Sequence, residues 1–199
     1  MRPHAGRIVW RDTVLLDRKA EIFLPTHKRP VRSAGQSARL FPNLTAFENL
    51  LYGKSKTAKP EEALNLGREV AELFRLASLV ERMPRQLSGG ESQRVSVARA
   101  VLSAAAFQGP GKPLLLLDEP FAGLDLILRD ALVTELQAWL TRREIPVLSV
   151  THDVGEAFQL GAEIIKIADG RVAAQGPVHQ VLAAERQRLM EQLQDHSPI

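Results

Sequence analysis

Four consecutive leucines, Leu114 to Leu117, run directly into Asp118-Glu119-Pro120. An unbroken apolar run of this length reads as a strand buried on both faces, the environment of a parallel sheet. The carboxyl end of such a strand is where open α/β sheets place their ligands. Successive strand residues point to opposite faces, so Asp118 and Glu119 can do different work. One carboxylate suits Mg²⁺, held through oxygen or water. The other suits taking a proton from an attacking water. An isolated Asp-Glu at a strand end is more often a pair of solvated acids. The leucines before it and Pro120-Phe121-Ala122-Gly123-Leu124-Asp125 after it weigh against that ordinary reading.

A second constellation lies upstream, in Leu87-Ser88-Gly89-Gly90-Glu91-Ser92-Gln93-Arg94. Ser88 and Glu91 have capping-box spacing, so a helix should begin at Gly89 and continue through Arg94, Val97 and Val101. Gly89 and Gly90 remove side chains where a group must approach the backbone closely. Free amides at the positive end of the helix dipole, with the Ser88 hydroxyl as a further donor, make an anion site. His152 follows another apolar strand, Pro146 to Val150. A neutral imidazole there can bond a transferring phosphate and help position the water. Gln36 is a loop glutamine with no signal of its own, and His4, His27, His179 and His196 support no assignment.

The rest of the chain supplies a frame. Arg7-Ile8-Val9-Trp10 and Thr13-Val14-Leu15-Leu16 read as a hairpin around Arg11-Asp12, and residues 21–37 as mostly loop. Thr45 and Glu48 start a short helix that should stop at Gly53. Pro60-Glu61-Glu62 opens a second helix, with apolar Leu66, Val70, Leu73 and Phe74 at helical spacing. Residues 40–86 therefore look like a helical insertion. Leu126 to Leu140 reads as a helix, and Asp153 caps another that runs to Leu160. Glu163 to Ile167 and Val172 to Ala174 flank Asp169-Gly170 as a hairpin. Pro177 to Leu193 reads as one closing helix. Strand–helix alternation argues an α/β fold with a mainly parallel sheet.

Composition narrows the partners. The 199 residues carry 26 basic and 23 acidic side chains, a net charge of +3. The two signs are interspersed, so no nucleic-acid surface is indicated. Cysteine is absent, which removes disulfides and thiolate metal sites. No run reaches the roughly 18 apolar residues of a membrane span, so any membrane role should be peripheral.

In these residues the chain resembles the ATP-binding cassette (ABC) ATPases, whose fold is of the P-loop NTPase kind. Leu87 to Gln93 is similar to that family's signature, Leu114 to Pro120 to its magnesium-binding strand and catalytic glutamate. Ala122 to Asp125 resembles its D-loop and Thr151-His152-Asp153 its switch histidine. Leu40 to Thr45 with Glu48-Asn49-Leu50 resembles importer ATPases, which puts Gln36 at the Q-loop position. Ser37 to Pro42 looks most like molybdate-uptake ATPases. The resemblance implies ATP and Mg²⁺ as ligands, with Asp118 and Gln36 toward the metal, Glu119 as general base and His152 toward the γ-phosphate. It implies that Ser88, Gly89, Gly90 and Gln93 meet ATP on a second protomer in a head-to-tail dimer, with Asp125 coupling the two sites. Transmembrane permease subunits and a place on the cytoplasmic face of the cell membrane are implied by the same likeness.

Three departures qualify it. No G-x-x-x-x-G-K-[ST] loop, whose amides cradle phosphates, occurs in the 199 residues. Gly53-Lys54-Ser55 and Gly111-Lys112 match only its end and read as turns. Arg2 to Ile8 aligns with the family's segment beyond that loop and its helix, so the chain alone is expected not to bind ATP and to be marginally stable. Val31 to Gly35 is weakly apolar for the strand before the Q-loop and should be poorly formed. By the same resemblance, the 199 residues are expected not to include the small β-domain that many sugar and molybdate importer ATPases carry. The expected division is a core of residues 1–39 and 101–199 with a helical and signature subdomain of 40–100. A chromosome-organising or DNA-repair ATPase would show coiled-coil or zinc insertions within this span, and none is present. A partner that supplies only its signature helix is the other alternative, against which Glu119 and His152 argue.

Overall fold

A computed structural model describes residues 3–54, 59–109, 111–161 and 163–195. β1 (Arg7–Trp10) and β2 (Thr13–Asp17) form the expected antiparallel hairpin, closed by Arg11 in the left-handed region at φ 50°. Residues 21–37 are more ordered than expected. β3 (Ile22–Phe23) extends the hairpin, and β4 (Val31–Ala34) pairs in parallel with β5 (Leu114–Asp118) from Val31↔Leu114 to Ala34↔Leu117. β4 is thus well formed despite its weak apolarity. Its main chain is templated by β5, and its one long polar side chain is satisfied locally. The Arg32 guanidinium donates to the Arg29 and Val31 carbonyls and lies 4.9 Å from the Phe107 ring centroid.

α1 (Ala46–Leu51) starts as predicted: Thr45 Oγ1 accepts from the Glu48 amide and Glu48 accepts from the Thr45 amide. α2 (Pro60–Leu73) ends at Phe74, after which Arg75 is left-handed at φ 53°. The carbonyls left open at that end are met by the buried guanidinium of Arg94, which donates to Phe74 and Arg75, each at 2.9 Å. α3 (Gly89–Ala105) repeats the capping box with Ser88 and Glu91. It is buried on nearly all sides, as a central helix must be. One contiguous core joins Leu50 of α1, Val70 of α2, Val101 and Leu102 of α3, Ala34 and Leu115 of the sheet, and Leu132 and Leu136 of α4 (Leu126–Arg142).

β6 (Val147–Val150) pairs in parallel with β5, Leu115↔Val147 through Asp118↔Val150. Parallel pairing is confined to β4, β5 and β6 among the described residues. The leucine strand is fully buried on one face only. Leu115 and Leu117 sit in the core under the helices, whereas Leu114 and Leu116 are half-buried. β6, expected to be buried, leaves Leu148 49% and Val150 55% exposed. It is one of the two edge strands of the described sheet, and on the face opposite Leu115 and Leu117 the packing is incomplete.

α5 (Val154–Leu160) is capped by Asp153, as its sequence predicts. β7 (Glu163–Ala168) and β8 (Arg171–Pro177) form the Asp169-Gly170 hairpin, both turn residues at positive φ. The closing helix is two: α6 (Val178–Val181) breaks at Leu182 before α7 (Ala183–Asp195). Leu182 turns inward there onto a second small cluster with Ala157 and Val178. Gly53-Lys54 is a turn as expected, Ser55 lies outside the described residues, and Gly111 turns at φ 70°. No described helix is long and apolar enough to cross a membrane.

Candidate functional site

Register alone brings three sequence-distant segments to one edge. Ala34 lies opposite Leu117, and Asp118 opposite Val150. The chain therefore leaves β4 toward Gln36, β5 into Glu119, and β6 into Thr151-His152 at the same carboxyl end of the sheet. Gln36, Asp118 and His152 are exposed there.

Glu119 makes the tightest connection. Its amide donates to the Val150 carbonyl at 2.9 Å, and its backbone is left-handed at φ 49°. That conformation costs a non-glycine residue about 1–2 kcal/mol. Here it swings the carboxylate across to β6, where Oε1 lies 2.6 Å from His152 Nδ1. The His152 side chain is otherwise 82% exposed. The hydrogen bond and the charge of Glu119 push the imidazole pKa up. The neutral imidazole expected from the sequence is thereby shifted toward its protonated form.

The residues flanking His152 are braced. Thr151 Oγ1 donates to Glu156 Oε2 at 3.1 Å and accepts from the Asp153 amide at 3.0 Å. Asp153 Oδ1 accepts from the Glu156 amide at 2.8 Å, and its other oxygen pairs with Arg129 of α4. Partial burial opposes the Asp153 charge, yet the Glu156 amide and Arg129 hold its pKa below the usual carboxylate value. Glu156 is buried, and that burial pushes its pKa up.

The segment carrying Gln36 is held at both ends by α3. Gln93 Nε2 donates to the Gly35 carbonyl at 3.2 Å, and the Arg99 guanidinium to the Arg39 carbonyl at 2.6 Å. Gln93 is buried, facing this loop. Beyond Arg39, the fully buried Asn49 accepts from the Phe41 amide and donates to the carbonyls of Phe41, Leu44 and Thr45.

Ser88, Gly89, Gly90 and Asp125 form a second group. Ser88 and Gly89 are exposed, and a Cβ at Gly89 would meet nothing within 4 Å. At Gly90 a Cβ would press on Leu124 Cδ2 at 3.0 Å. Gly90 therefore lets the turn before α4 pack against the start of α3. Asp125 then caps α4 by accepting from the Leu128 amide at 2.9 Å. No hydrogen bond or ion pair among the described residues links this group to Gln36, Asp118, Glu119 or His152.

Asn49, Arg99, Arg129 and Glu156 carry structural roles that sequence reasoning missed. Asp153 and Glu156 have the spacing of an N-cap and its N3 residue, a signal that was legible. The partners of Arg99 and Arg129 lie on other elements, so no local pattern announces them.

The family model described as ABC transporter matches residues 1–122. The chain belongs to the ABC transporter family of ATP-hydrolysing proteins. It is 38% identical over 182 residues to the molybdenum import ATP-binding protein ModC of Rhodospirillum rubrum, covering 92% of this chain and 47% of that protein. It is 37% identical over 199 residues to the ModC of Vibrio parahaemolyticus, covering 99% of this chain and 50% of that one. The chain thus spans about half the length of these curated relatives. A solved dimeric ATP-binding cassette in a post-hydrolysis state, bound to ADP and Pi, superposes with a TM-score of 0.72 at 28% identity, over 89% of this chain and 75% of that one. A dimeric bacterial ABC transporter cassette gives 0.72 at 26% identity over the same shares.

Proposed function

We propose that this chain is an ATP-binding subunit of an importer of the molybdate-uptake type, working from the cytoplasmic face of the membrane against permease subunits. The observation that carries the reading is the convergence of Gln36, Asp118, Glu119 and His152 at one sheet edge, with Glu119 and His152 in contact. The names of the ModC relatives support the substrate class.

Glu119 is the base that takes a proton from the attacking water, and His152 the contact to the departing phosphate. The strained Glu119 backbone fits that role, since such strain clusters where geometry must be held for chemistry. No group of three or more His, Cys, Asp or Glu side chains among the described residues is arranged to hold a metal. One carboxylate and one amide oxygen, from Asp118 and Gln36, fit Mg²⁺, which keeps waters and takes its remaining ligands from phosphates. Bound there, Mg²⁺ would neutralise developing charge on the phosphates.

Ser88, Gly89 and Gly90 belong to the contact with ATP on a second protomer, whereas Gln93, expected there, is buried against the Gly35 carbonyl and does not reach it. Ser88 and Gly89 offer the contact itself, Gln93 holds the neighbouring loop, and Asp125 sits beside them to couple the two sites. The 199 residues contain no glycine loop to cradle a β-phosphate, so we infer that this polypeptide alone does not retain ATP. Equilibrium titration with a fluorescent ATP analogue tests both halves. The chain alone should show no saturation in the micromolar range; micromolar affinity with turnover would overturn the inference. With a loop-containing cassette and ATP it should form a complex that Ser88→Arg abolishes. Complex formation unaffected by Ser88→Arg would overturn the signature-side role.

A further inference from the structure

We propose that Arg129 is a positioning residue for His152, tying the loop that carries the imidazole to the helix that begins at Asp125. The proposal rests on the reading of His152 as a phosphate contact. The His152 ring is almost wholly in solvent, with Glu119 its only hydrogen-bond partner among the described residues. Its placement must therefore come from the backbone on either side. Thr151 and Asp153 are bonded to each other and to Glu156, but these groups all lie between residues 151 and 156. They make a rigid brace without saying where it sits.

Beyond the apolar packing of α5 and the Glu119–His152 bond, two polar ties join the brace to other elements among the described residues. One is the pairing of β6 with β5. The other is the ion pair between Arg129 and Asp153. The two side chains are 19% and 29% exposed, so water screens the pair less than a surface bridge. Arg129 lies one helical turn beyond Asp125, and its amide donates to the Asp125 carbonyl at 3.0 Å. A displacement of the Asp125 end of α4 is thereby delivered to Asp153 and to the histidine beside it. A guanidinium suits this because its planar fork orients a carboxylate, which an ammonium does less well.

The sign of one measurement separates positioning from simple electrostatics. The charged and titratable groups around His152 are Glu119 at the end of β5, Asp153 and Glu156 on the α5 side, and Arg129 on α4. Removing the Arg129 charge with the geometry intact raises the His152 pKa further. Releasing the loop separates His152 from Glu119 and lowers the pKa toward about 6.5. The His152 Cε1 proton is therefore titrated by NMR in the wild-type chain, Arg129→Gln and Arg129→Lys. Positioning requires a fall in Arg129→Gln and most of the wild-type value in Arg129→Lys. A value in Arg129→Gln at or above wild type overturns the proposal. Should Arg129→Gln fail to fold, Asp153→Asn keeps the helix cap and removes the ion pair. Loss of the NOE between the His152 ring and the Glu119 methylenes then supports positioning, and its persistence overturns it. None of these readouts involves nucleotide, so their failure is distinguishable from failure of the proposed function, which the titrations with the ATP analogue test separately.

Discussion

Glu119 and His152 make the site sensitive to pH in a definite direction. The folded-state pKa of His152 lies above its unfolded value because Glu119 holds the imidazolium. The stabilisation is complete below the unfolded value, near 6.5, and is lost as pH rises through the folded one. Asp153 works the other way: its lowered pKa gives stability above the unfolded value that disappears as pH falls. The braced loop should thus be most secure in mildly acidic solution. Glu119→Gln should return the His152 pKa toward about 6.5, as read by NMR titration; an unchanged value would show that Glu119 is not the cause. Asn49, outside the site, holds four backbone groups of the 41–45 segment. Replacing it with Ala strands buried backbone groups of the 41–45 segment, at a cost of about 3 kcal/mol in urea denaturation.

Two unequal polar latches add to the apolar contact between α2 and α4, one end of each lying just past a helix terminus, at Arg75 or Arg143. Glu69 accepts from Trp139 Nε1 at 2.7 Å and from the Arg143 guanidinium at 2.7 Å, and Arg143 lies over the Trp139 ring. Trp139 is buried, and the half-exposed Glu69 carboxylate serves its N–H and the guanidinium at once, so removing Glu69 loses two charge-assisted bonds. Glu69→Ala should cost about 2 kcal/mol. The other latch, Arg75 with Glu135, is half-exposed at both ends. Arg75→Ala should cost at most about 1 kcal/mol. Comparison of the two denaturation midpoints tests this order, and equal losses would contradict it.

Among the described residues one large core dominates, and one face of the β4–β5–β6 sheet is open. Leu115 sits at the centre of the core, and Leu115→Ala should cost about 2–5 kcal/mol. Leu148 and Val150, on the open side of β6, are about half exposed. Their joint replacement by Thr should destabilise the chain far less than Leu115→Ala. Exposed apolar patches on edge strands invite association, so the same double variant should reduce self-association in sedimentation velocity. An unchanged sedimentation profile would show that this face does not drive it.

Much was legible in the amino-acid sequence because the forces concerned are local. The Thr45 and Ser88 capping boxes, the Asp153 cap, the Asp169-Gly170 turn and the leucine strand each depend on residues within a few positions. The candidate residues Asp118, Glu119 and His152 were readable because a strand end predicts which side chains emerge at a sheet edge. What only the tertiary structure decided is who stands beside whom. β4 exists because β5 templates it, a pairing that reaches from Val31 to Leu114. β6 is exposed because burial depends on what covers a strand, which its own apolar residues do not reveal. The Glu119–His152 contact, the grip of Gln93 and Arg99 on the Gln36 segment, and the Arg129–Asp153 tie join elements 24 to 60 residues apart in sequence. Periodicity and capping act over a few residues, whereas these contacts arise only once the sheet has set its register and the helices have packed on it.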